Sequence, residues 1–134
     1  MTQRINVGIT SALYELSGPT HATAAEALLD DASLLHMPGR SGLAGQYQGQ
    51  EAILGLLERM TQLTNGSLRY TPSHVITAND RAIVLSGHAS ATRQGTRLDT
   101  DEMRILSLQD GIIQEIWIFH KDQNHVDEFW TAHS

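Results

Sequence analysis

Cysteine is absent from the 134 residues, which excludes disulfides and thiol nucleophiles. That absence leaves the compartment open, with a cytoplasmic location as the expectation. Positive charge is scarce as well. Nine Lys and Arg stand against fifteen Asp and Glu, for a net charge of −6. The basic residues are scattered, and phosphate binding needs them clustered, so a nucleic-acid partner is not expected. Long apolar runs are missing too. No stretch approaches a membrane span, and the first twenty residues hold one Arg and no continuous apolar core. Neither a signal peptide nor a membrane partner is expected. Seven histidines are present, but none pair at helical i, i+4 or in a short ligand cluster. No metal is therefore expected.

What is present is the material of one domain over residues 1–134, large enough to build a core without staples. No repeat, linker or low-complexity segment interrupts it. Ile5, Ile9, Ala12, Leu13 and Leu16 recur at helical spacing and stop at Gly18-Pro19. Thr23-Ala24-Ala25-Glu26 fits a capping box for a second helix, although Thr20 offers a competing cap. A short apolar strand is expected from Ala32 to His36, ending at Met37-Pro38-Gly39, and Arg40 to Gly49 reads as a Gly-rich loop. Ile53, Leu56, Leu57, Met60 and Leu63 form one apolar helical face, closed by Asn65-Gly66.

Four strands follow, over Ser67–Ala78, Ala82–Arg93, Leu98–Leu108 and Ile112–His120. The turns between them are Ala78-Asn79-Asp80-Arg81, Arg93-Gln94-Gly95-Thr96 and Gln109-Asp110-Gly111-Ile112. Loops this short join antiparallel neighbours, so the strands form a meander. Asp122 is placed to cap a last helix that packs Val126, Phe129 and Trp130. The class is α+β: a curved antiparallel sheet wrapped around helices, with a cavity at its open end.

Two runs carry a family resemblance. "LLDDASLLHMPGRSGLAGQYQGQEAILGLLERM" has an acidic pair, a strand ending near His-x-Pro-Gly, a Leu-Ala-Gly turn and Tyr-x-Gly-x-Glu-Ala. "DGIIQEIWIFHKDQNHVDEFW" supplies a last strand and a closing helix. Together with the element order they resemble the nuclear-transport-factor-2-like (cystatin-like) cone, in particular its SnoaL-like and ketosteroid-isomerase-like members. The resemblance implies a pocket for a small apolar molecule, with no cofactor. It does not choose among isomerases, cyclases, hydrolases, dehydratases and pocket proteins without chemistry.

In ketosteroid isomerases an Asp at the end of the first short strand moves the proton. His36 falls there, with Met37 as the neighbouring choice. A helical Tyr and a protonated Asp on the third meander strand hold the oxyanion in those enzymes. Tyr14 lies on the corresponding helix, and the Asp position falls on or near Arg104, which stabilises by charge and not as a neutral acid. SnoaL-type cyclases place an acid/base near the end of the last strand, shortly after a Trp, which offers His120 and Asp122. Strand parity puts Ile116, Ile118 and His120 on one face, and Trp117 and Phe119 on the other.

Each candidate has a plainer reading. His36 fits a residue that shapes its loop as well as it fits a base. Asp122 fits a helix cap, and Arg104 fits a partner for Glu102. Met60 and Tyr14 fit the core as well as a pocket wall, and Arg97 with Asp99 lies beside a turn. The leading expectation is a SnoaL-like pocket protein doing cofactor-free acid–base chemistry on an apolar carbonyl or polyketide-like compound. His36 would be the base, His120 the second acid/base, and Arg104 or Tyr14 would polarise oxygen; Met37, Met60, Ile116 and Ile118 would line the pocket. The rival is a non-catalytic binder of an apolar metabolite. The face of Ser86, His88 and Ser90 is expected to meet a second copy, giving a homodimer through the convex sheet face.

Overall fold

The computed structural model describes residues 28–131. The expected first helices and Tyr14 lie outside the described residues. Eight elements follow in order: β1 (Leu34–Met37), β2 (Gly45–Gln48), α1 (Gln50–Leu63), β3 (Arg69–Ala78), β4 (Ala82–Arg93), β5 (Thr96–Gln109), β6 (Ile112–His120) and α2 (Gln123–Thr131). The six strands make one sheet in the order β2-β1-β6-β5-β4-β3.

The meander from β3 to β6 is antiparallel throughout. Two of its hairpin turns place consecutive residues at positive φ, Gln94-Gly95 and Asp110-Gly111, the backbone that matches the twist of the flanking strands. The sheet is nevertheless not wholly antiparallel, which corrects the expectation. β1 runs parallel to β6, pairing Leu35 with Ile116 and His36 with Trp117. A second correction concerns the Gly-rich loop. Its last part is strand β2, which pairs antiparallel with β1 from Leu34↔Gln48 to Met37↔Gly45. β1 itself runs from Leu34 to Met37, beginning and ending later than expected.

Alternation along the strands sorts side chains onto two faces. Leu35, Met37, Leu85, Ala89, Leu98, Leu106, Ile116 and Ile118 are buried, and both helices cover that concave face. α1 contributes Ile53, Leu56 and Met60. Asp122 caps α2 as expected, its Oδ1 accepting from the His125 N–H at 3.1 Å. The far end of α2 is closed by Arg93, whose Nη1 donates to the Phe129 and Trp130 carbonyls at 2.9 and 3.1 Å. Those carbonyls would otherwise lack partners at the helix end. Pinned at both ends, α2 holds Val126, Phe129 and Trp130 in the core. Among the described residues no helix is long and apolar enough to cross a membrane.

Candidate functional site

A cavity lies between the concave face and the helices. Among the described residues its walls include Met37 from β1, Met60 from α1, Arg104 and Glu102 from β5, Ile116, Ile118 and His120 from β6, and Trp130 from α2. Its free volume is about 50 Å³, well below the roughly 150 Å³ that holds a benzene ring. Among the described residues the walls are mainly apolar, and three ionisable groups break that lining.

Glu102 stands at their centre. Its side chain is 6% exposed, and each carboxylate oxygen takes one charged donor. Arg104 Nε donates to Oε2 at 2.5 Å, and His120 Nε2 donates to Oε1 at 2.9 Å. Pleating explains the contact: residues 102 and 104 are two apart on one strand, and Glu102 is the cross-strand partner of His120. The Arg104 guanidinium lies 4.0 Å from the centre of the Tyr70 ring. Tyr70 reaches this position because β4 has Gly87 beneath it. A Cβ there would come within 2.7 Å of the ring and 2.6 Å of the Thr71 carbonyl. Arg104 is thus fixed by a carboxylate on one side and a π face on the other.

His120 is oriented from α2. Its Nδ1 lies 3.0 Å from Gln123 Oε1. The amide orientation follows from its other end, where Gln123 Nε2 donates to Asp127 Oδ1 at 3.0 Å. Asp127 also accepts from the Arg40 backbone N–H at 3.1 Å. Gly39 leaves the room for this, since a Cβ at that position would sit 2.0 Å from Asp127 Oδ1. A polar chain therefore runs from the Pro38–Arg40 loop through Asp127 and Gln123 to His120, Glu102 and Arg104. With Gln123 accepting, Nδ1 carries a proton. With Glu102 accepting, Nε2 carries one as well, which is the imidazolium.

The energetics agree. Burial pushes the Glu102 carboxyl upward, but the Arg104 charge and the His120 hydrogen bond outweigh it and the net shift is downward. Burial likewise pulls the His120 pKa down. The Glu102 hydrogen bond and charge, with help from Gln123, raise it above 6.5 overall.

The structure thus brings Met37, Met60, Arg104, Ile116, Ile118 and His120 to one cavity. It does not bring His36 there. His36 points to the opposite face, stacked on Trp117 with ring centres 5.4 Å apart and its Nε2 2.7 Å from Glu115 Oε2. The reason is parity: Leu35 and Met37 turn inward, so His36 between them turns outward. A His36 base sharing a cavity with His120 is therefore corrected, and Met37 takes the inward place. Asp122 serves as the α2 cap. Arg97 and Asp99 pair with each other at 3.5 Å on the outer face. The sequence reading gives Glu102 only as a local partner for Arg104, although the i, i+2 spacing on a strand places both on one face.

A model of the SnoaL-like domain matches residues 11–116. The chain belongs to the SnoaL-like family. Among curated relatives, the uncharacterised protein Rv0034 of Mycobacterium tuberculosis is 24% identical over 95 residues, covering 71% of this chain and 72% of that one. Among solved structures, Bal32a from a soil-derived mobile gene cassette superposes with a TM-score of 0.89 at 24% identity, covering 96% of this chain and 98% of that one. A protein of unknown function with a cystatin-like fold from Xanthomonas campestris gives 0.84 at 20% identity, covering 95% and 98%. At these identities the solved structures establish the shared fold alone.

Proposed function

We propose that this SnoaL-like protein is a small-molecule enzyme that performs cofactor-free acid–base chemistry on a compact apolar carbonyl compound. The observation that carries the reading is the buried Glu102 carboxylate bridging His120 and Arg104 in an otherwise apolar cavity. Charged groups in such a place are costly unless they are paired, and they are a recurrent mark of functional sites.

In this reading the neutral form of His120 is the base. Gln123 keeps the proton on Nδ1; a bound substrate displaces Glu102 Oε1 from Nε2, whose lone pair then takes the proton while the nearby Glu102 charge stabilises the cation. The proton comes from the carbon beside the substrate carbonyl. The electron pair of that C–H bond moves to the carbonyl oxygen, and the Arg104 charge stabilises the enolate. The imidazolium then returns the proton to another carbon or to oxygen. A polyketide-like guest exceeds the present volume.

The test is deuterium exchange at the α-carbon of small acyclic ketones, acetone and butanone, in heavy water, followed by NMR. His120→Asn should lower exchange by roughly 10²–10⁴-fold, the usual range for a lost acid–base group. A specific observation favours the second reading, a non-catalytic binder: both Glu102 oxygens and both His120 ring nitrogens already have partners. Ligand binding with no exchange for any ketone in the panel would select the binder.

A further inference from the structure

Among the described residues, the ionisable groups of the cavity do not balance. Glu102 supplies one negative charge, while Arg104 and the imidazolium of His120 supply two positive charges. Among the described residues, their surroundings do not restore neutrality. From α2, Gln123 presents an uncharged amide oxygen to His120. Asp127 lies one residue further along the chain of contacts, and Arg40 answers its charge, with Nε 3.9 Å from Oδ2. From β3, Tyr70 offers Arg104 its π face. Asp101 and Lys121 flank Glu102 and His120 in sequence but alternate onto the other face of the sheet, where they pair with each other at 4.0 Å. Among the described residues Arg104 Nε is spent on Glu102, and no second carboxylate reaches the guanidinium. Arg104 lines the cavity.

From this we infer that the cavity takes an anionic guest, a compact apolar molecule ending in a carboxylate, with Arg104 as its anchor and the nearby charge of the His120 cation adding to the attraction. An excess positive charge in an apolar enclosure is stabilised by an anion far more than by a neutral dipole. A carboxylate also matches the fork of a guanidinium. The inference deepens the proposed function in that it uses the same cavity as the ligand site, but it does not depend on catalysis. Its pH dependence runs opposite to that of the enzyme reading: the guest needs His120 protonated, whereas proton abstraction needs it neutral.

The experiment compares acetate with acetamide, and butyrate with butyramide, on the 134-residue chain by isothermal titration calorimetry. The expected result is that at least one carboxylate binds roughly tenfold or more tightly than its amide near pH 6, and that this preference shrinks as pH rises through the raised pKa of His120. Arg104→Met should abolish the preference, while Arg104→Lys should retain part of it. Circular dichroism of both variants separates loss of anchor from loss of fold. Should Arg104→Met unfold, the pH series on the wild-type chain still decides. Equal affinity for acid and amide, or no carboxylate binding at any pH, would overturn the inference. Neither result bears on deuterium exchange by His120, so the two proposals fail separately.

Discussion

The two faces of the sheet carry a similar polar contact in opposite settings. On the concave face one carboxylate, Glu102, serves two cations, Arg104 and His120, with the Glu102 and His120 side chains each 6% exposed. On the convex face one imidazole, His88, serves two carboxylates. Asp101 lies 3.0 Å from Nδ1, and Asp99 contacts Nε2. Here the side chains are 45–61% exposed. The Asp101 and Asp99 hydrogen bonds raise the His88 pKa against a smaller opposing effect of burial. For His120 burial is the largest single influence, and Glu102 still overcomes it. The pairing chemistry is therefore alike, and the dielectric differs. Water screens the outer cluster, whereas in the cavity each charge depends on the others. The inner group is the one whose loss should be felt.

The largest expected effect comes from Glu102→Gln. The substitution leaves Arg104 and His120 without a counter-charge in an apolar enclosure. Breaking a buried pair in this way costs about 3–5 kcal/mol, which urea unfolding would read as a lower midpoint at similar slope. Asp101→Asn on the outer face is the control and should move the midpoint little. Similar losses for the two variants would erase the distinction between the faces.

How much of this was legible in the sequence follows from which signals are local. The two type I′-like turns at Gln94-Gly95 and Asp110-Gly111, the α1 stripe of Ile53, Leu56 and Met60, and the Asp122 cap are all short-range patterns, and each led to the observed element. β2 was hidden because Gly45-Gln46-Tyr47-Gln48 shows no apolar alternation. The parallel pairing of β1 with β6 joins residues about eighty positions apart and leaves no local trace. The same gap misled the reading of His36. Leu34-Leu35-His36-Met37 has apolar residues on both parities, so its inward face is set by β6 and not by β1 alone. The His120 side of the site was more readable, because Ile116, Ile118 and His120 alternate cleanly with Trp117 and Phe119. The Gln123 and Asp127 relay was not, since its function appears only once α2 is docked on the strand end.

The pH dependence of stability sharpens the comparison. Glu102 has its folded pKa lowered from 4.5, so its contribution is present above that value and is lost as pH falls through the folded pKa. His120 has its folded pKa raised from 6.5, so its contribution is complete below that value and is lost as pH rises through the folded pKa. Unfolding midpoints should therefore plateau between these two values and decline on both sides. His120→Asn should flatten most of the alkaline decline. His88→Asn should leave that decline nearly intact, because water already solvates the outer imidazole. If His88→Asn removes the alkaline decline, the assignment to the inner face is wrong.

A third effect concerns what covers the convex face. Phe119 is 49% exposed and Met103 38%, and they share a shallow groove with Ser73, Ser86, Asp101 and Lys121. The described helices lie on the other face. We propose that a second copy packs here, as the alternation of Ser86, His88 and Ser90 suggested. Light scattering at micromolar concentration should give twice the chain mass, and Phe119→Glu should give a monomer with intact circular dichroism. A wild-type monomer would refute the pairing.

The smallest effect is expected for His88→Ala. Both of its carboxylate partners keep another cation, Asp99 with Arg97 at 3.5 Å and Asp101 with Lys121 at 4.0 Å, so neither is stranded when the imidazole goes. All of these groups are well exposed, and exposed ion pairs contribute little after screening and the ordering of long side chains. In dilute protein the melting temperature should move by no more than about 2 °C. Pairing of two convex faces would change the setting of His88, because a partner that excludes water restores the strength of its contacts. The substitution should then cost more as protein concentration rises, and the cost should shrink in molar salt. A large loss already present in the dilute monomer would mean that the outer cluster holds the fold as the inner one does.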